Sequence, residues 1–219
     1  MELIAVNVGM PAPLPDGRTG RTVLSGIRKH RVGLPLVQVD EVNIEGDGQA
    51  DLDNHGGVDK AVYCYSHDHL PAWMAEIGYG EDRDAPFGEN LSLRGATESD
   101  VQIGDRWQWG EAILEVAQPR WPCFKLGLHA GDPGLPARLI ESERSGWYSR
   151  VIATGTAPTS GRLELVHREA TAPTVREAFQ AARSRLDRDR AMAIAATPAL
   201  ASSWRSMIVR RYPVVSGQR

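Results

Sequence analysis

Across the first 169 positions, apolar residues come in short runs broken by polar residues, glycine and proline. Seven stretches read as strands: 3–8, 37–44, 61–65, 106–109, 113–117, 151–153 and 162–166. In Ile113-Leu114-Glu115-Val116 and Arg162-Leu163-Glu164-Leu165-Val166, polar side chains interrupt apolar ones at close to the period of a half-buried strand. Gly110-Glu111, between two of these runs, predicts a hairpin turn. Two helices are expected among the strands, over 70–77 and 135–144. Many short strands with turn punctuation favour a closed or nearly closed β-barrel over a parallel sheet.

From residue 170 the texture changes. Thr174 and Glu177 form a capping-box signature, in which the hydroxyl satisfies one free amide and the carboxylate reaches back to another. Val175, Ala178, Phe179 and Ala182 then fall on one helical face. Met192, Ala195 and Ala196 repeat the spacing, as do Leu200, Trp204, Met207 and Ile208, with Pro198 between the two sets. The expected architecture is a mostly-β barrel domain with peripheral helices over 1–169, followed by a small all-α segment of three helices over 170–219. Helices that short need the body to pack on.

Composition narrows the class. A chain of 219 residues allows one domain, or one with an appendage. Its 42% hydrophobic and 24% charged residues are ordinary for a globular protein. No apolar run approaches the roughly 20 residues of a membrane span, and the opening Met1-Glu2-Leu3-Ile4 lacks the basic start of a secretory signal. Two cysteines cannot make a disulfide framework, which points to a reducing compartment and a cytoplasmic location. The net charge of −3 divides into −9 over residues 1–170 and +6 over 171–219. A solvated helical surface explains the basic tail better than a nucleic-acid patch does, because the acidic body would repel phosphates.

Four places carry candidate chemistry. Asn54-His55-Gly56-Gly57-Val58-Asp59-Lys60 combines bare amides able to hold an anion with a titratable ring, a carboxylate and a cation. A glycine-rich loop that merely starts a strand explains it equally well. Pro119-Arg120-Trp121-Pro122-Cys123-Phe124-Lys125 sets a cysteine among cations, surroundings that favour the thiolate and hence a soft metal. Its alternative is a buried cysteine, which the flanking charges make expensive. Cys64, in the apolar run Val62-Tyr63-Cys64-Tyr65, reads as core. Phe87-Gly88-Glu89-Asn90 and Ser25-Gly26-Ile27-Arg28-Lys29 are weaker, a polar turn and a basic loop. The chain has only three lysines against 22 arginines, and Lys29, Lys60 and Lys125 all fall inside these places. A compact ammonium fits against a phosphate where a guanidinium does not. His67 and His69 have metal-like spacing but no further ligand nearby in sequence, so a surface or capping role is expected.

Taken in order with Gly46-Asp47-Gly48-Gln49-Ala50-Asp51, these motifs resemble the MOSC-domain family, named for the C-terminal domain of molybdenum-cofactor sulfurase. The resemblance is greatest to its YiiM-type branch, the N-hydroxylaminopurine resistance proteins, and runs from the first strand to about 169. The helical tail resembles the appendage of the same branch. The resemblance implies a β-barrel that holds a molybdenum cofactor (Mo-molybdopterin), with Cys123 as the metal ligand and a catalytic residue. It implies that Lys29, Gly56, Gly57, Lys60, Arg120 and Lys125 surround the anionic cofactor, with Glu89 and Asn90 on the pterin edge or the substrate. The activity implied is two-electron reduction of N-hydroxylated bases, hydroxylamines or amidoximes to amines, with His55 or Asp59 relaying protons. No flavin, haem or iron–sulfur motif is evident, so electrons are expected from a separate flavoprotein or ferredoxin-type donor, which the basic tail could dock. The rivals are a persulfide carrier using Cys123 and a non-catalytic molybdopterin-binding module.

Overall fold

The computed structural model describes residues 1–50 and 56–213. Thirteen strands and six helices follow one another along them. They are β1 (Glu2–Val8), β2 (Ala12–Asp16), β3 (Arg21–Ser25), β4 (His30–Arg31), β5 (Leu36–Val39), β6 (Val62–Ser66), α1 (Leu70–Ile77), β7 (Leu91–Arg94), β8 (Arg106–Trp109) and β9 (Ala112–Pro119). Then come α2 (Phe124–Ala130), α3 (Leu135–Ser142), β10 (Trp147–Ala153), β11 (Gly155–Pro158), β12 (Gly161–Arg162), β13 (Glu164–His167), α4 (Val175–Ala182), α5 (Arg188–Ala195) and α6 (Ser202–Arg211).

The main sheet has the order β12-β1-β7-β6-β10-β9-β8-β13, with β4 added to β1. It is a curled half-barrel, and its two ends are successive pieces of one segment joined through Leu163. At the start of that segment Arg162 pairs with Glu2, and at its end Leu165 pairs with Trp107. Leu163 and Met1 exchange two backbone hydrogen bonds, Leu163 N to Met1 O at 2.9 Å and Met1 N to Leu163 O at 3.0 Å. A curled sheet hides strand edges that would otherwise template pairing with other chains. β6 and β7 run parallel, and the other pairs on the path are antiparallel. Two ribbons complete the β structure: the β2–β3 hairpin, and β5 paired with β11.

The expected elements are found with shifted ends. The turn at Gly110-Glu111 joins β8 and β9 with Trp109 opposite Ala112. The expected strand over 37–44 stops at Val39. Asp40 N bonds Asn43 O at 2.8 Å, and the tight turn brings Ile44 back to bridge Val39. α3 ends at Ser142 because Glu143 adopts a left-handed conformation, φ +60°. The short β4 and β11 were not expected, nor were the β2–β3 hairpin, whose prolines argue against a strand, β7, hidden behind a polar loop, and α2, which starts directly after Cys123.

The tail helices share one apolar core with the sheet. Phe179, Ile194, Trp204 and Ile208 belong to the same buried cluster as Val6, Leu93 and Trp147. The capping box forms as expected: Glu177 N donates to Thr174 Oγ1 at 3.1 Å, and Thr174 N donates to the Glu177 carboxylate at 2.8 Å. A cap of this kind is worth about 1 kcal/mol. Tail arginines face acidic residues at the end of α3. Arg176 bonds Glu143 at 2.8 Å, Arg183 bonds Glu141 at 2.8 Å, and Arg185 bonds Glu141 at 3.0 Å. The uneven charge of the sequence is therefore partly a join between body and tail. Among the described residues no helix is long and apolar enough to cross a membrane.

Candidate functional site

One cleft, with about 660 Å³ of empty space, gathers residues from every motif singled out in the sequence. Ser25 and Gly26 enter from the end of β3, Asp47 and Gly48 from the segment after β5, Asn90 from the segment before β7, and Arg120 and Cys123 from the loop after β9. All three lysines of the chain, Lys29, Lys60 and Lys125, line it. Two of its loops touch backbone to backbone. A Cβ at Gly26 would lie 2.6 Å from Gly48 O, and one at Gly48 would lie 2.5 Å from the Pro11 ring. Only glycine allows that approach.

The wall behind the cleft is a buried chain of hydrogen bonds. Lys29, 9% exposed, is ion-paired to Asp47. Burial lowers the lysine's pKa and the Asp47 carboxylate works against that fall. Asp47 also accepts from Gly9 N at 2.9 Å and from Asn90 Nδ2 at 2.8 Å. The Asn90 side chain in turn accepts from Tyr63 N at 3.0 Å and donates to Asn7 O at 3.2 Å, tying β1 to β6. Asn7 Nδ2 donates to Ser92 Oγ at 3.0 Å, and Ser92 Oγ donates to Glu89 Oε1 at 3.1 Å. A buried network with its members satisfied rigidifies its surroundings, and here it fixes the position of the Lys29 ammonium.

Arg120, Cys123 and Lys125 line the cleft from the segment that follows β9. Arg120 is 5% exposed and lies over the Tyr63 ring, 4.9 Å from its centre. Its Nη1 is buried without a hydrogen-bond partner among the described residues. A buried, unanswered guanidinium N–H costs free energy unless an acceptor reaches it. Trp121 turns the other way, stacking on Phe179 of α4 (centroids 5.3 Å apart) and meeting Trp204 of α6 edge-on at 6.1 Å. Cys123, partly exposed, is the residue before α2 and opens on the cleft. Cys64 is core, as expected: β6 is buried throughout, and burial pushes its thiol up to about 12.

Several expected site residues lie elsewhere. Glu89 is fully buried behind the cleft, with its oxygens accepting from Phe87 N at 3.0 Å and Ser92 Oγ and standing 2.9 Å from His67 Nε2. Gly56 and Gly57 do not line the cleft, and the Gly57 amide donates to Gln49 Oε1 at 2.8 Å. Asp59 is turned to Arg150, at 2.8 Å. His55 falls outside the described residues. His69 stands at the N-cap of α1 but its side chain makes no cap hydrogen bond; His67 and His69 are both partly buried and each faces a buried glutamate, Glu89 at 2.9 Å and Glu98 at 2.7 Å. Sequence reasoning missed Tyr63 and Tyr148, which line the cleft from β6 and β10. Both sit in apolar runs, which mark core and hide which phenol meets a cavity. Asp47 was visible only as part of its motif.

This donor set suits an anionic, metal-bearing cofactor. It has four cations, an orphaned guanidinium N–H and one thiol. Among the described residues no three His, Cys, Asp or Glu side chains are grouped to hold a metal. A soft metal at Cys123 would therefore take its remaining ligands from a carrier, as a dithiolene provides.

Comparison with known proteins gives a consistent picture. The MOSC domain profile matches residues 51–165. Protein YiiM of Escherichia coli strain K12 is 36% identical over 211 residues, covering 95% of this chain and 92% of its own. A protein named reductase from Gibberella moniliformis is 34% identical over 158 residues, 71% of this chain but only 28% of the fungal protein. The crystal structure of YiiM from Geobacillus stearothermophilus superposes with a TM-score of 0.79 at 32% identity, covering 96% of this chain and 98% of that one.

Proposed function

The chain belongs to the MOSC domain family, and from that premise we propose that it is a molybdenum-cofactor oxidoreductase reducing N-hydroxylated compounds to amines. An oxidoreductase-like role is what the family and the reductase relative point to. The observation that carries the finer reading is the convergence on one cleft of Cys123, all three lysines and Arg120 with its unanswered Nη1. A bound molybdenum cofactor would supply two-electron redox chemistry there.

The chain's own residues then have separable tasks. Cys123 offers the thiolate that ligates the metal. Arg120, Lys60 and Lys125 neutralise the anionic cofactor, and Arg120 gains the acceptor it lacks. Lys29 adds a fourth cation, held in place by Asp47 and, through it, by Asn90. Glu89 acts at one remove, anchoring Phe87 N and Ser92 behind the wall. The net reaction consumes two electrons and two protons for each N–OH converted to N–H with release of water. The electrons come from a separate flavoprotein or ferredoxin-type donor. His55 remains the candidate for proton relay, while Asp59 would first have to leave Arg150.

The test is anaerobic reduction of an N-hydroxylated base by cofactor-loaded protein, with reduced methyl viologen as electron source. Amine formation by the wild type and none by Cys123→Ala is expected. Loaded wild type that forms no amine would make the chain a cofactor-binding module. Labile sulfur on Cys123 in metal-free protein would instead support sulfur transfer.

A further inference from the structure

Two phenols line the cleft, and they are not equivalent. The Tyr63 hydroxyl is committed, donating to Ser145 O at 2.9 Å, and its ring serves as the platform for the Arg120 guanidinium. Tyr148 lies directly opposite Tyr63 in the β6–β10 ladder, with ring centres 5.0 Å apart, but is partly open to the cleft. A bulge falls at this point. Tyr148 pairs with Gln118 and the next residue, Ser149, with Val116, so Ala117 is left over. Bulges recur beside active sites, where they re-aim a side chain. This one is held from outside: Ala201 N, at the start of α6, donates to Ala117 O at 2.9 Å.

Tyr148 therefore adds a phenol to a cleft that also presents cations, a thiol, the Asp47 carboxylate and the polar side chains of Ser25, Gln49 and Asn90. Its surroundings keep it a donor. Burial raises the phenol pKa above its ordinary value, while the Arg120 guanidinium, which donates a hydrogen bond to the phenol oxygen, draws it back only in part and leaves the phenol hydrogen to donate.

Resting on the function proposed above, we infer that the Tyr148 hydroxyl donates a hydrogen bond to the N-hydroxyl oxygen of the substrate, turning that oxygen toward the Cys123 side of the cleft. Tyr148 is thus a specificity-determining residue. It distinguishes an N-hydroxylated base from the amine that the reaction leaves behind, and it favours product release because the amine lacks the acceptor oxygen.

The experiment measures equilibrium binding to oxidised, cofactor-loaded protein, where no electrons are supplied and no turnover occurs. The ligands are an N-hydroxylated purine base and the corresponding aminopurine, and the proteins are wild type and Tyr148→Phe. One neutral hydrogen bond is worth about tenfold. Wild type is expected to prefer the hydroxylated base by about that factor, and Tyr148→Phe to bind both equally, with molybdenum and pterin content unchanged. An unchanged preference in Tyr148→Phe would overturn the inference. Loss of cofactor from the variant would overturn it too, by making Tyr148 a cofactor-holding residue. Wild type that shows neither a preference nor amine formation breaks the underlying function. Wild type that forms amine while Tyr148→Phe keeps the preference breaks only the role of Tyr148.

Discussion

Cys64 and Cys123 differ in what surrounds them far more than in where they lie. Trp147 of β10 is the ladder partner of both Cys64 and Pro119, and Cys123 follows Pro119 by four residues. Cys64 sits inside a strand buried on both faces, and desolvation pushes its thiol up to about 12. Cys123 sits where the ladder has ended, in a loop with prolines on either side of Arg120-Trp121, partly exposed and lining a cleft with four cations. Across one intervening strand from a core thiol, and four residues past a strand's end, the chain sets a second thiol on a cleft. The loop is not left loose, because Trp121 is clamped by Phe179 and Trp204 of the tail.

The contrast in reactivity should be the largest effect. At pH 8 a thiol titrating near 12 is ionised in about one molecule in 10⁴. Iodoacetamide is therefore expected to label Cys123 in the native protein at least about 10³-fold faster than Cys64, which should react only on unfolding. Peptide-resolved labelling kinetics check this, and comparable native rates would remove the distinction.

The clamp gives the next effect. Trp204→Ala would empty a fully buried site and is expected to cost about 3–5 kcal/mol in urea unfolding. It should also change the labelling rate of Cys123 while leaving Cys64 protected. A cost under about 1 kcal/mol would mean that the tail does not hold the loop.

A smaller effect comes from the support beneath Arg120. Arg120 N donates to Gly146 O at 3.1 Å, and Gly146 N donates to the Glu98 carboxylate at 2.6 Å, which also faces His69. Glu98→Ala leaves a buried amide and an imidazole without that acceptor, at about 1–3 kcal/mol. Equal unfolding midpoints for variant and wild type would contradict it.

The smallest effect is electrostatic. Hydrogen bonds from Arg183 and Arg185 hold the Glu141 carboxyl below its ordinary 4.5. A carboxyl depressed in the folded state contributes stability above its unfolded value, and that contribution is lost as pH falls through its folded value. Glu141→Gln should therefore be slightly less stable than wild type at pH 7, with the gap closing as pH falls below 4.5 and through the folded value. A gap that persists at pH 3 would assign the effect to packing.

Much of this was legible from residue order. Near-alternation located β9 and β13, the Thr174–Glu177 pair located the start of α4, and the three lysines fell in separate motifs that the fold brings to one cleft. What escaped notice depends on contacts remote in sequence. β7 has only four residues, and its place is set by parallel pairing with β6. Gly57 and Asp59 carry suitable chemistry, but Gln49 and Arg150 engage them. The role of Tyr148 turns on a bulge at Ala117 that no local pattern encodes.

The most direct test is the molybdenum and pterin content of protein expressed in a cofactor-competent host, comparing wild type, Cys64→Ala and Cys123→Ala. Near-stoichiometric metal in the first two and its loss from Cys123→Ala is the predicted result. Metal retained at the wild-type level by Cys123→Ala, or a wild type that binds neither metal nor pterin, would contradict the account.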